Sequence, residues 1–470
     1  MQVDICIIGA GSAGLTVAAA AQQMGASCAL IEKDLMGGDC LNYGCIPSKA
    51  LIAAGRAANS IHQAKDFGIS AGWPVVDSEK VYNHVRDIVD SIAPNDSLER
   101  FQALGVKVIQ ANGSFEGRDR VVAGNIIIRA RQFVIATGSS AYIPQIDGLE
   151  SVFYHTNKTI FDGPNLPEKL IIIGGGPLGI ELAQAHRHLG CKVTVIEKFS
   201  IMSRDDPELV EVLRKKLDQE GVIIKEGCSI LGVERLSNGV SVKIKAGLFE
   251  EKLSGTHLLI AAGRRPNVDS LDLEKAGIHY SSKGIMVDSR LRTSNKRIFA
   301  IGDVIGGYQF THVASYHAGI VIQNALFRLP KKTNTDYIPR VTYTSPELAQ
   351  VGLTLSEARK KHNNIKSLSW KYMNIDRAIA ERQIDGLIKV ITTKKGTIIG
   401  CGIVGAHAGE LIQSWVLAIS KKMKISEFAT TISPYPTFGE ISKKVAGSFY
   451  TDILFSEKTK RLVRFLKLFF

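Results

Sequence analysis

Apolar residues recur in two similar segments of the chain, and each segment contains two short apolar runs separated by a helical pattern. The runs lie at residues 5–8 and 28–31 in the first segment and at residues 170–173 and 193–196 in the second. Short apolar runs that alternate with helices are typical of parallel strands with helical crossovers. The pattern therefore predicts an α/β fold with two Rossmann-like dinucleotide-binding domains.

The C-terminal part of the chain has a different pattern, with closely spaced strands followed by helices from residue 339 onward. Apolar runs at residues 388–391, 397–400 and 402–405 predict three separate antiparallel strands, and a helical pattern follows at residues 410–421. These elements predict an additional α+β domain.

Each of the two strand–helix–strand segments has three glycines in the spacing G-x-G-x-x-G after its first strand, and a glutamate at the end of its second strand. The glycines are Gly9, Gly11, Gly14, Gly174, Gly176 and Gly179, and the glutamates are Glu32 and Glu197. Such glycines permit a tight turn and close approach to a pyrophosphate at the helix N-terminus, while the glutamate can accept hydrogen bonds from a ribose. Glycine turns between core elements are the alternative, but the repeated context predicts two dinucleotide sites.

The choice between NAD and NADP depends on the second of these segments. Glu197 favours NAD, because a carboxylate accepts hydrogen bonds from a free 2′-hydroxyl group and repels a 2′-phosphate. NADP remains the alternative cofactor, since the side chain of Lys198 or Arg204 can reach a 2′-phosphate. We therefore expect NAD(P)H as a cofactor, with NAD slightly favoured.

Two cysteines, Cys40 and Cys45, stand just before a helical pattern. Pro47 suits the first turn of that helix, because its missing N–H group has no partner there. We expect Cys45 at the helix start, where the helix dipole lowers the pKa of a thiol, and Cys40 in the preceding loop. A stabilised thiolate beside an accessible second thiol suits thiol–disulfide exchange. A structural disulfide or two buried free thiols are the alternatives.

The composition is ordinary for a globular protein, with 45% hydrophobic and 22% charged residues. No apolar run reaches the roughly 18 residues of a membrane span. The chain enters its first strand at once, so we expect no secretory leader. Seven scattered cysteines do not form a secreted disulfide framework, which favours a cytoplasmic protein. We attribute the net charge of +13 to anionic cofactors and a solvated surface, and expect no nucleic-acid partner.

The residues around the two cysteines, G-G-x-C-x-x-x-G-C-x-P-S-K, resemble the redox-active disulfide of the pyridine nucleotide–disulfide oxidoreductases. This flavoprotein family includes dihydrolipoamide dehydrogenase, glutathione reductase and mercuric reductase. The resemblance implies that Cys45 is the thiol against the flavin and that Cys40 is the interchange thiol that meets the substrate. It also implies that Lys49 lies near the flavin and pairs with Glu181.

Further matches extend the resemblance over nearly the whole chain, and they imply bound FAD in addition to NAD(P)H. Beyond the two glycine motifs and their glutamates, the residues implied in cofactor binding are Lys49, Thr137, Gly138, Gly263, Gly302, Asp303 and Ala314. The family organisation predicts four regions. They are an FAD-binding domain (1–147), an NAD(P)-binding domain (148–274), a central segment that completes the FAD domain (275–335) and a dimerisation domain (336–470).

The chain departs from the family pattern at several positions. The family's His-Pro-Thr-x-x-Glu, whose histidine relays protons to the thiols of the other subunit, is here Y-P-T-F-G-E, from Tyr435 to Glu440. A phenol with a pKa of about 10 is a poor base at neutral pH, although it can donate a proton. Mercuric reductase also has tyrosine there, but ends in a vicinal cysteine pair, whereas the last cysteine here is Cys401. Asp39 replaces the commoner threonine, and its carboxylate is expected to disfavour anionic dithiols.

We therefore expect a homodimeric FAD enzyme with an active site shared between subunits, in which electrons pass between NAD(P)H, FAD and the Cys40–Cys45 pair to a small thiol, disulfide or related acceptor. Tyr435 and Glu440 are its candidate proton-transfer residues, and no metal site is expected. One alternative is a dihydrolipoamide dehydrogenase of a 2-oxoacid dehydrogenase complex. Another, of a different class, is a peripheral membrane redox protein that uses quinone or metal.

The end of the chain, from Lys460 to Phe470, predicts a basic amphipathic helix. Lys460, Arg464 and Lys467 fall on one helical face, and apolar residues fill most of the rest. A basic stripe on so apolar a helix suits contact with an anionic membrane. The alternative is that the helix packs on the dimer partner.

Overall fold

The computed structural model describes residues 1–72 and 74–469, and the chain divides into two compact units. One unit comprises residues 1–198 and 224–334, and the other comprises residues 199–223 and the chain from residue 335 onward. The four-region division predicted from the sequence is not tested by this grouping and stays a prediction. Phe470, which the tail prediction includes, lies outside the described residues.

The secondary structure of the described residues alternates strands and helices first, and becomes strand-rich and then helical later. The strands are β1 (Gln2–Ile8), β2 (Cys28–Glu32), β3 (Lys107–Gln110), β4 (Gly113–Phe115), β5 (Arg120–Ala123), β6 (Ile126–Ile135), β7 (Ser139–Ala141), β8 (Lys169–Ile173), β9 (Lys192–Ile196), β10 (Ile223–Lys225), β11 (Ser229–Leu236), β12 (Gly239–Ala246), β13 (Phe249–Gly255), β14 (His257–Ile260), β15 (Arg264–Pro266), β16 (Tyr280–Ser281), β17 (Gly284–Ile285), β18 (Ile298–Ala300), β19 (Arg340–Thr342), β20 (Glu347–Gly352), β21 (Ile365–Lys371), β22 (Leu387–Thr393) and β23 (Ile398–Gly405). The helices are α1 (Ser12–Gln23), α2 (Gly38–Asn42), α3 (Cys45–Gln63), α4 (Ser78–Ile92), α5 (Leu98–Ala103), α6 (Pro177–His188), α7 (Pro207–Gln219), α8 (Thr311–Ala325), α9 (Leu355–Lys361), α10 (Asp376–Ala380), α11 (Ala408–Ser420), α12 (Ile425–Thr430), α13 (Glu440–Ser448), α14 (Thr451–Leu454) and α15 (Glu457–Leu466).

The first sheet has the strand order β3-β2-β1-β6-β5-β4, and β18 also pairs with β6. Strands β1, β2, β3, β6 and β18 run parallel, whereas β4 and β5 form antiparallel pairs. Both faces are covered: Ile5 and Ile7 point into one buried cluster, and Cys6 and Ile8 point into another. Burial on both faces explains why residues 5–8 of β1 are an unbroken apolar run, and it confirms the first predicted strand–helix–strand segment.

The second parallel sheet has the order β10-β9-β8-β14, with α6 following β8, and β11, β12 and β13 form an antiparallel sheet. The strands β8 and β9 and the helix α6 confirm the second predicted segment. In both parallel sheets the glycine turn lies at the carboxyl end of the first strand. Ligands of open α/β sheets bind at this end.

The other unit is built on an antiparallel sheet with the order β19-β20-β23-β22-β21. The predicted division of residues 397–400 and 402–405 into two strands is wrong, because β23 is continuous. Its glycines do not form a turn but allow neighbouring groups to pack closely on the strand. A Cβ atom at Gly400 would lie 2.0 Å from the carbonyl oxygen of Leu353, and one at Gly402 would lie 2.4 Å from the Leu209 side chain.

Charged side chains are buried in this unit and are paired. Nζ of Lys389 lies 3.0 Å from Asp206 and 2.9 Å from Glu208, and Nε of Arg340 lies 2.6 Å from Asp205. A buried charge is tolerated when a partner compensates for lost hydration. These pairs hold the segment of residues 199–223 against the antiparallel sheet.

The tail forms an amphipathic helix as predicted, but with other bounds. The helix α15 covers Glu457–Leu466, so it begins before Lys460 and ends before Lys467. Neither α14 nor α15 buries a side chain, and large apolar residues such as Phe455, Phe465 and Phe469 are exposed. Within residues 1–72 and 74–469, no helix has the length and apolar character needed to cross a membrane.

Candidate active site

The two candidate redox cysteines lie at the junction of α2 and α3. Cys45 is the first residue of α3, as predicted, but the expectation of Cys40 in a loop is wrong, because Cys40 lies in α2. Gly37 and Gly38 enter this short helix with φ values of 87° and 63°, which favour glycine. The side-chain amide of Asn42 then donates to the carbonyl oxygens of Met36 and Gly38, at 3.0 and 2.8 Å, and closes the turn.

The two thiols differ in acidity. The pKa of Cys45 is lowered to about 6, first because Cys40 donates a hydrogen bond to it, and then because of Thr311 and the positive charge of Lys49, against the effect of burial. Oγ1 of Thr311 lies 3.3 Å from its Sγ atom. The same thiol–thiol hydrogen bond, together with burial, raises the pKa of Cys40. Cys45 is therefore the more acidic thiol of the pair, and Cys40 is the less acidic one.

A buried ion pair lies one helical turn beyond Cys45. Nζ of Lys49, on α3, lies 2.9 Å from Oε2 of Glu181, on α6, as the family resemblance implies. The Glu181 side chain is only 4% exposed, whereas that of Lys49 is 36% exposed. The carboxylate fixes the ammonium group at the buried end, while the lysine keeps a surface available to a cofactor.

The first glycine turn fits a pyrophosphate. A Cβ atom at Gly14 would lie 1.9 Å from the carbonyl oxygen of Gly9, so α1 packs directly on the turn. A Cβ atom at Gly11 would meet only Gly38, at 4.0 Å, which leaves open space at the helix start. The first turn of α1 has neither an acidic residue nor a side-chain cap, so its N–H groups are suited to an anion. Glu32 accepts hydrogen bonds from Ala10 N at 2.6 Å and from two following backbone N–H groups.

The second glycine turn has the same construction. A Cβ atom at Gly179 would lie 2.0 Å from the carbonyl oxygen of Gly174, whereas one at Gly176 would have no neighbour within 4 Å. Oε2 of Glu197 accepts a hydrogen bond from Gly175 N at 2.7 Å. Two cradles of the same design, each at the carboxyl end of a parallel sheet, suit two dinucleotides.

The remaining residues implied in flavin binding surround Asp303. Oγ of Ser139 donates to its carboxylate at 2.6 Å, and burial raises the pKa of Asp303. Gly302 N donates to Nδ1 of the buried His317 at 3.3 Å. Ala314 lies in the first turn of α8, beyond the Thr311 that contacts Cys45.

The two glycines next to this cluster take conformations that glycine favours. Gly138 and Gly263 have φ values of 67° and 122°, and both have open space around the Cβ position. Thr137, which precedes Gly138, donates through its hydroxyl to the carbonyl oxygen of Asn267 at 2.7 Å. Backbone at these two turns is therefore free to approach a ligand.

Sequence reasoning missed three side chains that the fold brings together near Asp39, the residue before Cys40. Asn157 and Arg264 contact Asp39, and Ser139 contacts Arg264. Arg264 is the first residue of β15. Its guanidinium group lies 3.0 Å from Asp39, next to Cys40. The sequence contains no periodic signal for such contacts, because their partners are more than one hundred positions away.

Tyr435 and Glu440 lie in the other unit, where Glu440 begins α13 and Tyr435 lies in the segment before that helix. The Tyr435 hydroxyl donates to Oδ2 of Asp376 at 2.9 Å, and the phenol ring is largely exposed. This hydrogen bond raises the pKa of Tyr435, with a smaller contribution from the charge of Glu440. The carboxylate that orients the phenol is thus Asp376, which the sequence did not single out.

Comparisons with known proteins agree on one family. A profile described as pyridine nucleotide-disulphide oxidoreductase matches residues 3–318, and one described as pyridine nucleotide-disulphide oxidoreductase, dimerisation domain, matches residues 338–446. Mercuric reductase from Lysinibacillus sphaericus is 32% identical over 456 residues, which cover 96% of this chain and 83% of that protein. Dihydrolipoyl dehydrogenase from Bacillus subtilis (strain 168) is 33% identical over 455 residues, covering 95% of this chain and 96% of that protein.

A solved structure resembles the whole fold. It is the Cu(II) complex of the HOCl-induced flavoprotein disulfide reductase RclA from Escherichia coli. The superposition has a TM-score of 0.86 at 25% sequence identity and covers 95% of this chain and 99% of that chain.

The packing of the first glycine turn predicts different outcomes for two alanine substitutions. Gly14→Ala should lower the free energy of unfolding by about 1–3 kcal/mol, because its Cβ atom overlaps the Gly9 carbonyl oxygen. Gly11→Ala is the matched control. It should keep the wild-type free energy of unfolding and weaken only the binding of the nucleotide. Urea unfolding and the ratio of bound cofactor to protein separate the two effects. Equal losses of stability in both variants would contradict this packing.

The hydrogen bond of Tyr435 predicts which carboxylate controls its acidity. Asp376→Asn should lower the pKa of the phenol, because the acceptor that favours the protonated form loses its charge. Glu440→Gln should have a smaller effect. The pKa of the Tyr435 phenol in both variants is measured by ultraviolet difference titration, with Tyr435→Phe as the reference that lacks this phenol. A larger decrease in the Glu440→Gln variant would show that Asp376 is not the partner in solution.

Proposed function

The chain belongs to the pyridine nucleotide–disulphide oxidoreductase family, and from this premise we propose that it passes electrons from NAD(P)H through FAD and the Cys40–Cys45 pair to a small disulfide or a related oxidant. Members of the family use FAD and NAD(P)H, so the enzyme is an NAD(P)H-dependent flavoprotein disulfide oxidoreductase. Its C-terminal part is the family's dimerisation domain, which supports a homodimer.

One observation supports this function more than any other: the unequal acidity of the two cysteines at the start of α3. Reduction of the Cys40–Cys45 disulfide takes two electrons and one proton, because Cys45 remains a thiolate while Cys40 becomes a thiol. Bound FAD supplies the two-electron relay between the nicotinamide and this disulfide. The residues that fit it are the first glycine turn with Glu32, Lys49 and the surroundings of Asp303.

Turnover of a disulfide acceptor then follows from thiol–disulfide exchange. Cys40 attacks one acceptor sulfur and forms a mixed disulfide, while its proton passes to the departing sulfur, which leaves as the first product thiol. The Cys45 thiolate attacks the Cys40 sulfur, restores the intramolecular disulfide and releases the second product as a thiolate. That thiolate takes one proton that comes from solvent, so one NAD(P)H and one further proton reduce the acceptor to two thiols.

Proton transfer at the acceptor is the proposed task of Tyr435 from the partner protomer, with Glu440 nearby. A phenol whose pKa is raised is suited to donate a proton to a leaving thiolate and is a poor base. This chemistry favours reduction of an acceptor over oxidation of a dithiol. The dihydrolipoamide dehydrogenase function, supported by the overall similarity to such enzymes, stays the alternative.

The candidate acceptors belong to a few chemical classes. Metal ions are candidate acceptors in addition to disulfides and quinones. This choice is based on the relatives named mercuric reductase and on the Cu(II) complex of RclA. NADH and NADPH oxidation should therefore be measured with lipoamide, glutathione disulfide, Hg²⁺, Cu²⁺ and a soluble quinone. The steady-state preference for NADH over NADPH tests the role of Glu197 in the same assay.

Cysteine variants make this experiment specific. Turnover of the true acceptor should fall at least about 100-fold in both Cys40→Ser and Cys45→Ser, since exchange needs both sulfurs. The long-wavelength thiolate–flavin absorbance of the reduced enzyme should persist in Cys40→Ser and vanish in Cys45→Ser. Loss of the band in Cys40→Ser alone would reverse the two roles, and an acceptor turned over equally by Cys40→Ser would not use the thiol pair.

A second candidate function is that of a peripheral membrane redox protein, and the exposed tail is the observation that favours it. Basic residues cover one side of α15, and exposed apolar residues cover the other. The tail also begins after residue 446, where the match to the dimerisation domain ends. An amphipathic helix of this kind binds anionic membrane surfaces.

Liposome binding tests the tail. The full chain should co-sediment with phosphatidylglycerol vesicles and not with phosphatidylcholine vesicles, and added salt should weaken binding. A chain that ends at Ser456 should keep FAD and activity but stay in the supernatant. A truncated chain that becomes monomeric or loses FAD would instead assign the tail to the dimer.

A further inference from the structure

Asp39, the residue before Cys40, is held by two side chains from distant parts of the chain. Its Oδ2 atom lies 3.0 Å from Nη2 of Arg264, and its Oδ1 atom accepts a hydrogen bond from the side-chain amide of Asn157 at 2.9 Å. Asn157 is 3% exposed, and the Asp39 side chain is about one-third exposed. The contact with Asn157 is therefore sheltered on the amide side, and the contact with Arg264 is half-buried.

The same contacts span the short segment between the two thiols. Asn157 also donates to the carbonyl oxygen of Tyr43 at 3.2 Å, and Tyr43 N donates to the carbonyl oxygen of Asp39 at 2.9 Å. A Cβ atom at Gly44 would lie 2.9 Å from that carbonyl oxygen, so the segment is packed on itself. Displacement of Asp39 would therefore move Cys40 relative to Cys45.

Arg264 connects this segment to the flavin side of the site. Its Nε atom donates to Oγ of Ser139 at 2.7 Å, and Ser139 donates to Asp303 at 2.6 Å. The guanidinium group thus lies between two carboxylates, those of Asp39 at 3.0 Å and Asp303 at 3.9 Å. Without it, the carboxylates of Asp39, beside Cys40, and of Asp303 would lose the positive charge between them, which is costly in a half-buried site.

We propose that Asp39 and Arg264 form a positioning pair, which holds Cys40 within reach of Cys45 and compensates the carboxylate charge beside the two thiols. The proposal deepens the proposed function and rests on it only for the role of the thiols. It replaces the expectation that Asp39 repels anionic dithiols, because that expectation assumes an unpaired carboxylate. The other charged groups around the thiols are Lys49, Glu181 and Asp303.

A double-mutant cycle tests the charge compensation. Arg264→Gln should raise the pH midpoint of Cys45 ionisation by about one unit or more, because the negative charge of Asp39 then opposes the thiolate. Asp39→Asn should lower the midpoint, and the double variant should return toward the wild-type value. A purely structural role would give shifts of the same sign that accumulate in the double variant.

The readout is the pH dependence of alkylation of Cys45 by iodoacetamide, measured in the Cys40→Ser background on the FAD-loaded protein. Arg265→Gln is the matched control, since Arg265 is the neighbouring arginine and pairs with the exposed Asp269. An unchanged midpoint in Arg264→Gln, or an equal shift in Arg265→Gln, would overturn the proposal. If Arg264→Gln does not fold, the decrease expected for Asp39→Asn decides the matter by itself.

The positioning half of the proposal has a separate test in the enzyme with both cysteines. The equilibrium between the disulfide and dithiol forms, titrated against glutathione, should shift toward the dithiol at least about tenfold in Asp39→Ala, because Cys40 is less firmly held near Cys45. An unchanged equilibrium would refute it. These thiol measurements need no acceptor, so their failure is distinct from a failure to find acceptor turnover.

Discussion

The stabilisation of the Cys45 sulfur at the start of α3 is the constraint that the rest of the first unit supports. It requires the start of α3 to follow α2 at once, so that two cysteines five positions apart can meet. Thr311 at the start of α8 and Lys49 on α3 stabilise the same sulfur from two sides. Because α8 and α1 pack in one buried cluster with the first sheet, the chemistry of the thiolate depends on the core behind it.

Much of this fold could be predicted from the sequence, because its determinants are local. The strand β1 is apolar at every buried position, and its glycine turn and α1 follow within a few residues, so the pattern and the spacing suffice. The same holds for β8, β9 and α6. The continuous strand β23 was not predicted, because Gly400 and Gly402 resemble turn residues unless the neighbouring backbone at Leu353 is known.

The residues of the candidate site also fall into two groups, those in local motifs and those whose contacts depend on long-range packing. The cysteines, Lys49 and the glycines belong to contiguous motifs, and the structure brings Lys49 to Glu181 as expected. The contacts of Asp39 with Arg264 and of Tyr435 with Asp376 join residues separated by long stretches of chain. Their side chains meet only because the strands and loops that hold them pack together. A single sequence does not show which strands and loops pack together.

The two glutamates of the glycine turns have a consequence for the rate of the catalytic cycle. Glu32 and Glu197 each hold a backbone N–H group of their own turn, so both turns have their final shape before a nucleotide arrives. A preformed site loses little conformational entropy on binding. In the proposed cycle, the nicotinamide nucleotide would therefore enter and leave at the second turn without waiting for that loop to fold.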